Sequence, residues 1–101
     1  MSGEGAGELV LVVTFRARPG GADPLEARLR EMAMLSSAED GCHEYTLHHD
    51  LEDPERFLLY EVWEDQAAHA RHDQTEHLLA FRADLPDLLA EPPEMIRLRR
   101  D

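Results

Sequence analysis

The segment Phe57 to Trp63, FLLYEVW, sets Phe57, Leu59, Glu61 and Trp63 on one face of an extended chain and Leu58, Tyr60 and Val62 on the other. Both faces are too apolar for either to be left wet. The strand therefore belongs in a layered structure, with helices against one side and a further layer against the other. Just upstream, His43 to His49 alternates, Tyr45 and Leu47 facing away from Glu44, Thr46 and His48. The short polar connection Asp50 to Glu55 makes the two segments an antiparallel hairpin.

The remaining periodicities supply the other elements. Leu9 to Ala17, LVLVVTFRA, is β-branched and aromatic in character and reads as an interior strand, ended by Pro19, Gly20 and Gly21. Asp23 is expected to cap a helix over Pro24 to Ala38, with Pro24 at its first position and Leu25, Leu29, Met32 and Leu35 as its apolar stripe. Gly41 is expected at positive φ where that helix ends. Asp65 and Thr75 are two further caps, so Gln66 to Leu85 is either one long kinked helix or a short helix followed by a longer one. Leu88 and Leu89 continue into a loop, Pro92 and Pro93 stop any helix, and Met95 to Arg99 reads as a short strand. The order β-α-β-β-α-β predicts an α+β, ferredoxin-like fold: a four-stranded antiparallel sheet with helices on one face. Residues 1–7 read as a disordered leader and residues 8–101 as a single domain.

At 101 residues the chain is too short for a Rossmann enzyme or a (β/α) barrel. A chain of this size buries only about 60 to 65% of its unfolded surface. A second copy is a natural source of the missing layer, giving a homodimer through the sheet face. Twenty-two acidic residues against ten basic ones, all arginine, give a formal charge of -12, which disfavours nucleic acid and membrane surfaces as partners. Cys42 is alone, so an intramolecular disulfide and a CxxC site are excluded, and a cytoplasmic location is expected.

Asp40 to Phe81 resembles the antibiotic biosynthesis monooxygenase domain family, including its quinol monooxygenase branch. The pieces that carry the resemblance are the Gly41-Cys42 turn before an x-Tyr-x-Leu strand, the strand end Glu61-Val62-Trp63-Glu64, and His72-x-x-x-x-His77 leading to Phe81. The resemblance implies a subunit that dimerises through its sheet into an α+β barrel. It implies a range of activities: oxygenation of phenols or quinols without metal or flavin, haem degradation, isomerisation of small phosphorylated metabolites, or none demonstrated. The function expected here is cofactor-independent monooxygenation of a small aromatic or polycyclic phenol, with no cofactor and no metal. The alternatives are a non-catalytic dimeric ligand-binding domain, a haem-binding member and an isomerase.

The resemblance also points to Trp63 as a cavity residue, where an indole can stack on a flat ring and donate one hydrogen bond. The other reading of Trp63 is an anchor between sheet and helix. His72 and His77 lie five positions apart, roughly 140° around a continuous helix, and a break at Thr75 is needed to bring them to one wall. Either imidazole can exchange a proton with a phenol near neutral pH, or serve as a hydrogen-bonded structural group. Tyr45, Phe57, Leu59, Tyr60, Glu61 and Phe81 are the expected substrate-binding residues. Glu61 is either a pocket carboxylate with a raised pKa or, the favoured reading, half of an ion pair with Arg82, Arg97 or Arg99.

His69 and His72 form an i, i+3 pair, but HExxH is absent, His48 and His49 point to opposite faces, and Cys42 has no partner at metal-binding spacing. Two departures from the family matter. The chain contains no asparagine, whose cavity amide several oxygenase members use, and the corresponding strand positions fall among Val13, Thr14, Phe15, Leu58 and Leu59. The axial histidine of haem-degrading members is replaced by the Phe81-Arg82 neighbourhood.

Overall fold

The computed structural model describes residues 7–101; apart from Gly7, the expected leader lies outside the described residues. Four strands, β1 (Leu9–Arg16), β2 (Cys42–His49), β3 (Arg56–Trp63) and β4 (Glu94–Arg99), form one antiparallel sheet in the order β2-β3-β1-β4. Three helices, α1 (Ala22–Ser37), α2 (Gln66–His72) and α3 (Glu76–Leu88), complete the described elements. This is the ferredoxin-like plan read from the periodicities.

The register β1 to β3 pairs Leu9 with Trp63 and Phe15 with Phe57, so the odd-numbered residues of both strands share one face. Leu9, Leu11, Val13, Phe15, Leu59 and Trp63 on that face are buried in one core with Leu25, Leu29 and Met32 of α1 and Phe81 of α3. Phe15 meets Phe81 edge to face, with ring centroids 6.0 Å apart, one of the favoured aromatic geometries.

Three local expectations are corrected. α1 begins at Ala22 with Gly21 at the N-cap and no side-chain capping bond, so Asp23 sits in the first turn, where its charge still complements the helix dipole. Pro24 is tolerated one turn in because the first four N–H groups of a helix have no intrahelical partner. The stripe of α1 closes on Ser36, which is fully buried, while Leu35 is only half-buried. α3 runs on through Pro86 to Leu88, since a proline in the last turn forfeits only the bond to one carbonyl.

Of the two arrangements left open for Gln66 to Leu85, the structure adopts the broken one. Asp65 caps α2 by accepting from the Ala68 N–H at 2.8 Å, and Thr75 caps α3 by accepting from the Leu78 N–H at 3.3 Å. Two competing N-caps ten residues apart end one helix and start the next at a new angle.

Candidate active site

The break at Thr75 turns a pair of histidines that a straight helix would separate toward a common partner, Glu39. His72 Nδ1 lies 2.7 Å and His77 Nε2 2.6 Å from the same oxygen, Glu39 Oε2. Glu39 reaches them because of Gly41, at φ +82°, which folds the turn after α1 tightly onto α2; a Cβ there would lie 2.6 Å from that of Ala68. The Glu64 N–H donates to the Gly41 carbonyl at 2.7 Å and fixes the approach. The site thus draws on the α1–β2 turn, α2 and α3.

His72 is the buried member of the group and His77 the half-buried one. The His72 ring packs on Trp63 at 4.6 Å between centroids, and against Tyr45 at 5.7 Å and His69 at 5.8 Å. Burial lowers the His72 pKa below the ordinary imidazole value, against the opposing pull of the Glu39 hydrogen bond and charge. The imidazole is therefore held neutral at pH 7. An ionised carboxylate offers only lone pairs, so His72 donates through Nδ1–H and its Nε2 is left as the acceptor nitrogen. His69, also buried, is lowered by the same desolvation.

Between the helices and the β1 side of the sheet lies a cavity of about 80 Å³. Tyr45, Glu61, His69 and His72 give its wall polar atoms, Leu59 and Phe81 are part of its apolar surface, and Asp73, Arg82 and Met95 also line it. Its volume is below the several hundred Å³ typical of a site for a drug-sized ligand.

Glu61 is buried with a single side-chain hydrogen bond among the described residues, accepted from Trp63 Nε1–H at 3.0 Å. The ion pair with Arg82, Arg97 or Arg99 does not form: Arg82 instead meets Asp73 at 3.0 Å. Burial pushes the Glu61 carboxyl up to about 7, although the indole N–H pulls it down. Glu61 thus lies on the cavity wall as a buried carboxyl held by an indole N–H and not by an arginine. Burial, reinforced by the Glu61 charge, raises the Tyr45 phenol above its usual range, and burial pushes the Cys42 thiol up to about 11, keeping it protonated.

The structure thus brings Tyr45, Leu59, Glu61, His72 and Phe81 to one cavity. Trp63 is fully buried behind the wall, holding Glu61 through its N–H and His72 through its ring face. His77 sits behind Glu39, and Phe57 packs against His49 with centroids 5.4 Å apart. Tyr60 lies on the opposite sheet face beside His48. Sequence reasoning did not single out Glu39; the signal that could have found it was its place two residues before Gly41, whose expected positive φ promised a sharp reversal.

Glu39, His72 and His77 each offer one ligand atom, all within 4.8 Å of one another, and could hold a metal ion. No linear motif announces this group because its members come from three segments. The two N···O spacings, 2.7 and 2.6 Å, are those of hydrogen bonds, and a metal held at about 2.0 to 2.2 Å from each ligand would have to push both nitrogens away from that oxygen.

The comparisons with known proteins bear on the family and the fold. The family model for antibiotic biosynthesis monooxygenases matches residues 9–84. Among curated proteins, the chain is 31% identical to Rv0793 of Mycobacterium tuberculosis over 83% of this chain and 82% of that protein. It is 27% identical to YcnE of Bacillus subtilis over 88% and 94%. Both carry the name "Putative monooxygenase". It is also 31% identical to the uncharacterized protein sll1783 of Synechocystis over 86% of this chain, spanning only 59% of that longer protein. Among solved structures, PA3566 of Pseudomonas aeruginosa superposes with a TM-score of 0.89 at 39% identity, covering 96% of this chain and 97% of that one. On the matched family model and these relatives, the chain belongs to the antibiotic biosynthesis monooxygenase family.

Proposed function

We propose that this protein is a cofactor-independent monooxygenase acting on an electron-rich phenol or quinol. The observation that carries the reading is His72: buried, neutral, with Nδ1 tied to Glu39 at 2.7 Å and its ring on the cavity wall. A substrate phenol or activated methylene gives its proton to His72 Nε2. The delocalised anion left behind is a carbon nucleophile that reduces dioxygen itself. For an anthrone-type substrate, the ring CH₂ and O₂ become a ring C=O and water, one oxygen atom retained and the other released, with no external reductant. The chain's part is to orient the ring, take the proton and exclude bulk water.

The proton leaves by the route the cluster lays out. Protonated His72 is stabilised by Glu39, and His77, on the far side of the same carboxylate oxygen and 22% exposed, connects the group to solvent. Glu61, poised near 7, is a second proton holder on the same wall. Trp63 acts through these two residues as a positioning group.

Oxygen uptake with anthrone and 1,4-naphthoquinol tests the reading on wild type, His72→Gln, His77→Gln and Trp63→Phe, each first matched for thermal midpoint. Glutamine keeps hydrogen-bonding capacity and loses proton exchange, so His72→Gln should cut the rate by about 100-fold or more and His77→Gln by less. Equal uptake by all four proteins removes these residues from the mechanism. Uptake no faster than buffer with either compound replaces the reading with a ligand-binding domain of the same fold.

We also propose that a second copy covers the open sheet face. Val12, Leu58 and Tyr60 are only half-buried there, Ile96 and Leu98 are exposed, and the three helices cover the other side. An exposed apolar face of this kind marks an interaction surface.

A further inference from the structure

The 80 Å³ cavity shares three of its lining residues, Arg82, Leu85 and Pro93, with a second and larger one, a groove of about 480 Å³. Leu85, Pro86 and Leu89 from the end of α3 and Ala90, Pro92 and Pro93 from the connection to β4 form its surface. We propose that cavity and groove are one site, and that its substrate is elongated: a flat phenolic head in the cavity, an apolar extension along the groove, and a carboxylate at the far end beside Arg18. The proposal rests on the reading of the inner cavity as the reacting end.

Volume is the first argument. The inner cavity is too small for a bicyclic body, whereas the groove falls in the range of small-molecule sites, about 300 to 1,000 Å³. A substrate reaching His72 must therefore leave most of its bulk outside the inner cavity, against the surface that continues it.

Rigidity is the second. The Arg18 guanidinium donates to the Pro86 carbonyl at 2.6 Å, and the Arg18 N–H donates to the Leu88 carbonyl at 3.2 Å. Ala17 bridges Leu89, and the Ala90 N–H donates to the Arg16 carbonyl at 2.9 Å. The last turn of α3 and the start of the following connection are thus stitched to the end of β1, and two consecutive prolines stiffen the rest. A surface held in place before binding loses little freedom when a ligand arrives.

Charge is the third. In a chain with 22 acidic residues, this groove gathers two of the ten arginines, Arg18 and Arg82, against one acid, Glu91. Arg82 is engaged by Asp73 at 3.0 Å. Arg18 has no ion-pair partner among the described residues, and its bond to Pro86 uses one of five guanidinium N–H donors. The remaining donors suit a carboxylate.

Calorimetric titration with three probes tests this without requiring turnover: phenol, 4-pentylphenol and 6-(4-hydroxyphenyl)hexanoate. The pentyl compound should bind about tenfold tighter than phenol as its chain leaves water. The hexanoate should bind at least as tightly as the pentyl compound at low salt and lose about fivefold in Arg18→Gln, which should leave the other two probes unchanged. Ala90→Trp, an exposed substitution that fills the groove, should reduce both long probes to the affinity of phenol. Equal affinities for the three probes, no binding by any of them, or long probes indifferent to Ala90→Trp overturn the elongated site, as does a hexanoate indifferent to Arg18→Gln. Failure of the monooxygenase reading shows separately, as absent oxygen uptake in a protein that still binds the long probes.

Discussion

The two faces of the sheet carry similar residues and put them to different use. On the helix-facing side, His72 packs on Trp63 at 4.6 Å and is buried; on the outer side, His48 meets Tyr60 at 6.5 Å and is exposed. Both are imidazoles beside aromatic rings. The buried one, His72, is lowered in pKa by its burial and has a carboxylate fixing its tautomer. Likewise Glu61 faces inward and is pushed up to about 7, while Glu44 on the outer side of β2 stays exposed, where its carboxylate accepts from the Thr46 hydroxyl at 2.9 Å. On the inner face burial raises Glu61 and lowers His69 and His72, because desolvation disfavours the charged form of each.

The strongest way to break the contrast is to hollow the inner face. Trp63→Ala should cost about 3 to 5 kcal/mol by chemical denaturation, because the ring is fully buried, whereas Trp63→Phe should cost less and isolate the loss of the N–H to Glu61. Next comes the price of the buried carboxyl. With its folded pKa near 7 and an ordinary value of 4.5, native Glu61 keeps a proton that the unfolded chain has released. Stability from this group is intact below about pH 4.5 and falls as pH rises toward 7, by about 3 kcal/mol in all. Denaturation curves from pH 5 to 8 should show that slope in wild type, and Glu61→Gln should flatten it; an unchanged slope places the titration elsewhere.

Gly41→Ala should cost about 2 kcal/mol, since it adds a Cβ at positive φ and against Ala68. By moving the turn that carries Glu39, it should also lower the rate of oxygen uptake in protein that is still folded. The smallest effect on the fold is expected on the other face. Ile96→Glu, 55% exposed, should leave the thermal midpoint of the subunit nearly unchanged while sedimentation equilibrium falls from about 23 kDa to the 11.5 kDa of one chain. Wild type sedimenting as a monomer removes the proposed sheet-face partner.

Most of the fold was legible because period and punctuation agree locally: alternation in Phe57 to Trp63, a cap at Asp65, another at Thr75, a positive-φ glycine at Gly41. Where they failed, at Asp23, Leu35 and Pro86, the error was one helical turn or less, within the reach of end effects. The site was less legible for a different reason. His72 and His77 could be singled out, but their shared contact depends on Glu39, more than thirty residues earlier in the chain, and on the angle at which α3 departs from α2. Glu61 was misjudged because pairing with an arginine is the usual fate of an acid among apolar neighbours. Which arginines come within reach is settled by tertiary packing, and here Arg82 turns to Asp73.

The pairing of β1 with β4, which joins Leu9 to Arg99, has a kinetic consequence. The central strand finds its first neighbour, β3, across roughly half the chain, but its second only when nearly all of the chain is present. Closing the longer loop costs more entropy, and β4, exposed along its whole length, repays little of it through burial. The hairpin, β1 and the helices should therefore form the folding nucleus, with β4 docking afterwards. Since Pro93 and Met95 wall the inner cavity, the proposed site should be among the last parts of the molecule to assemble and among the first to open.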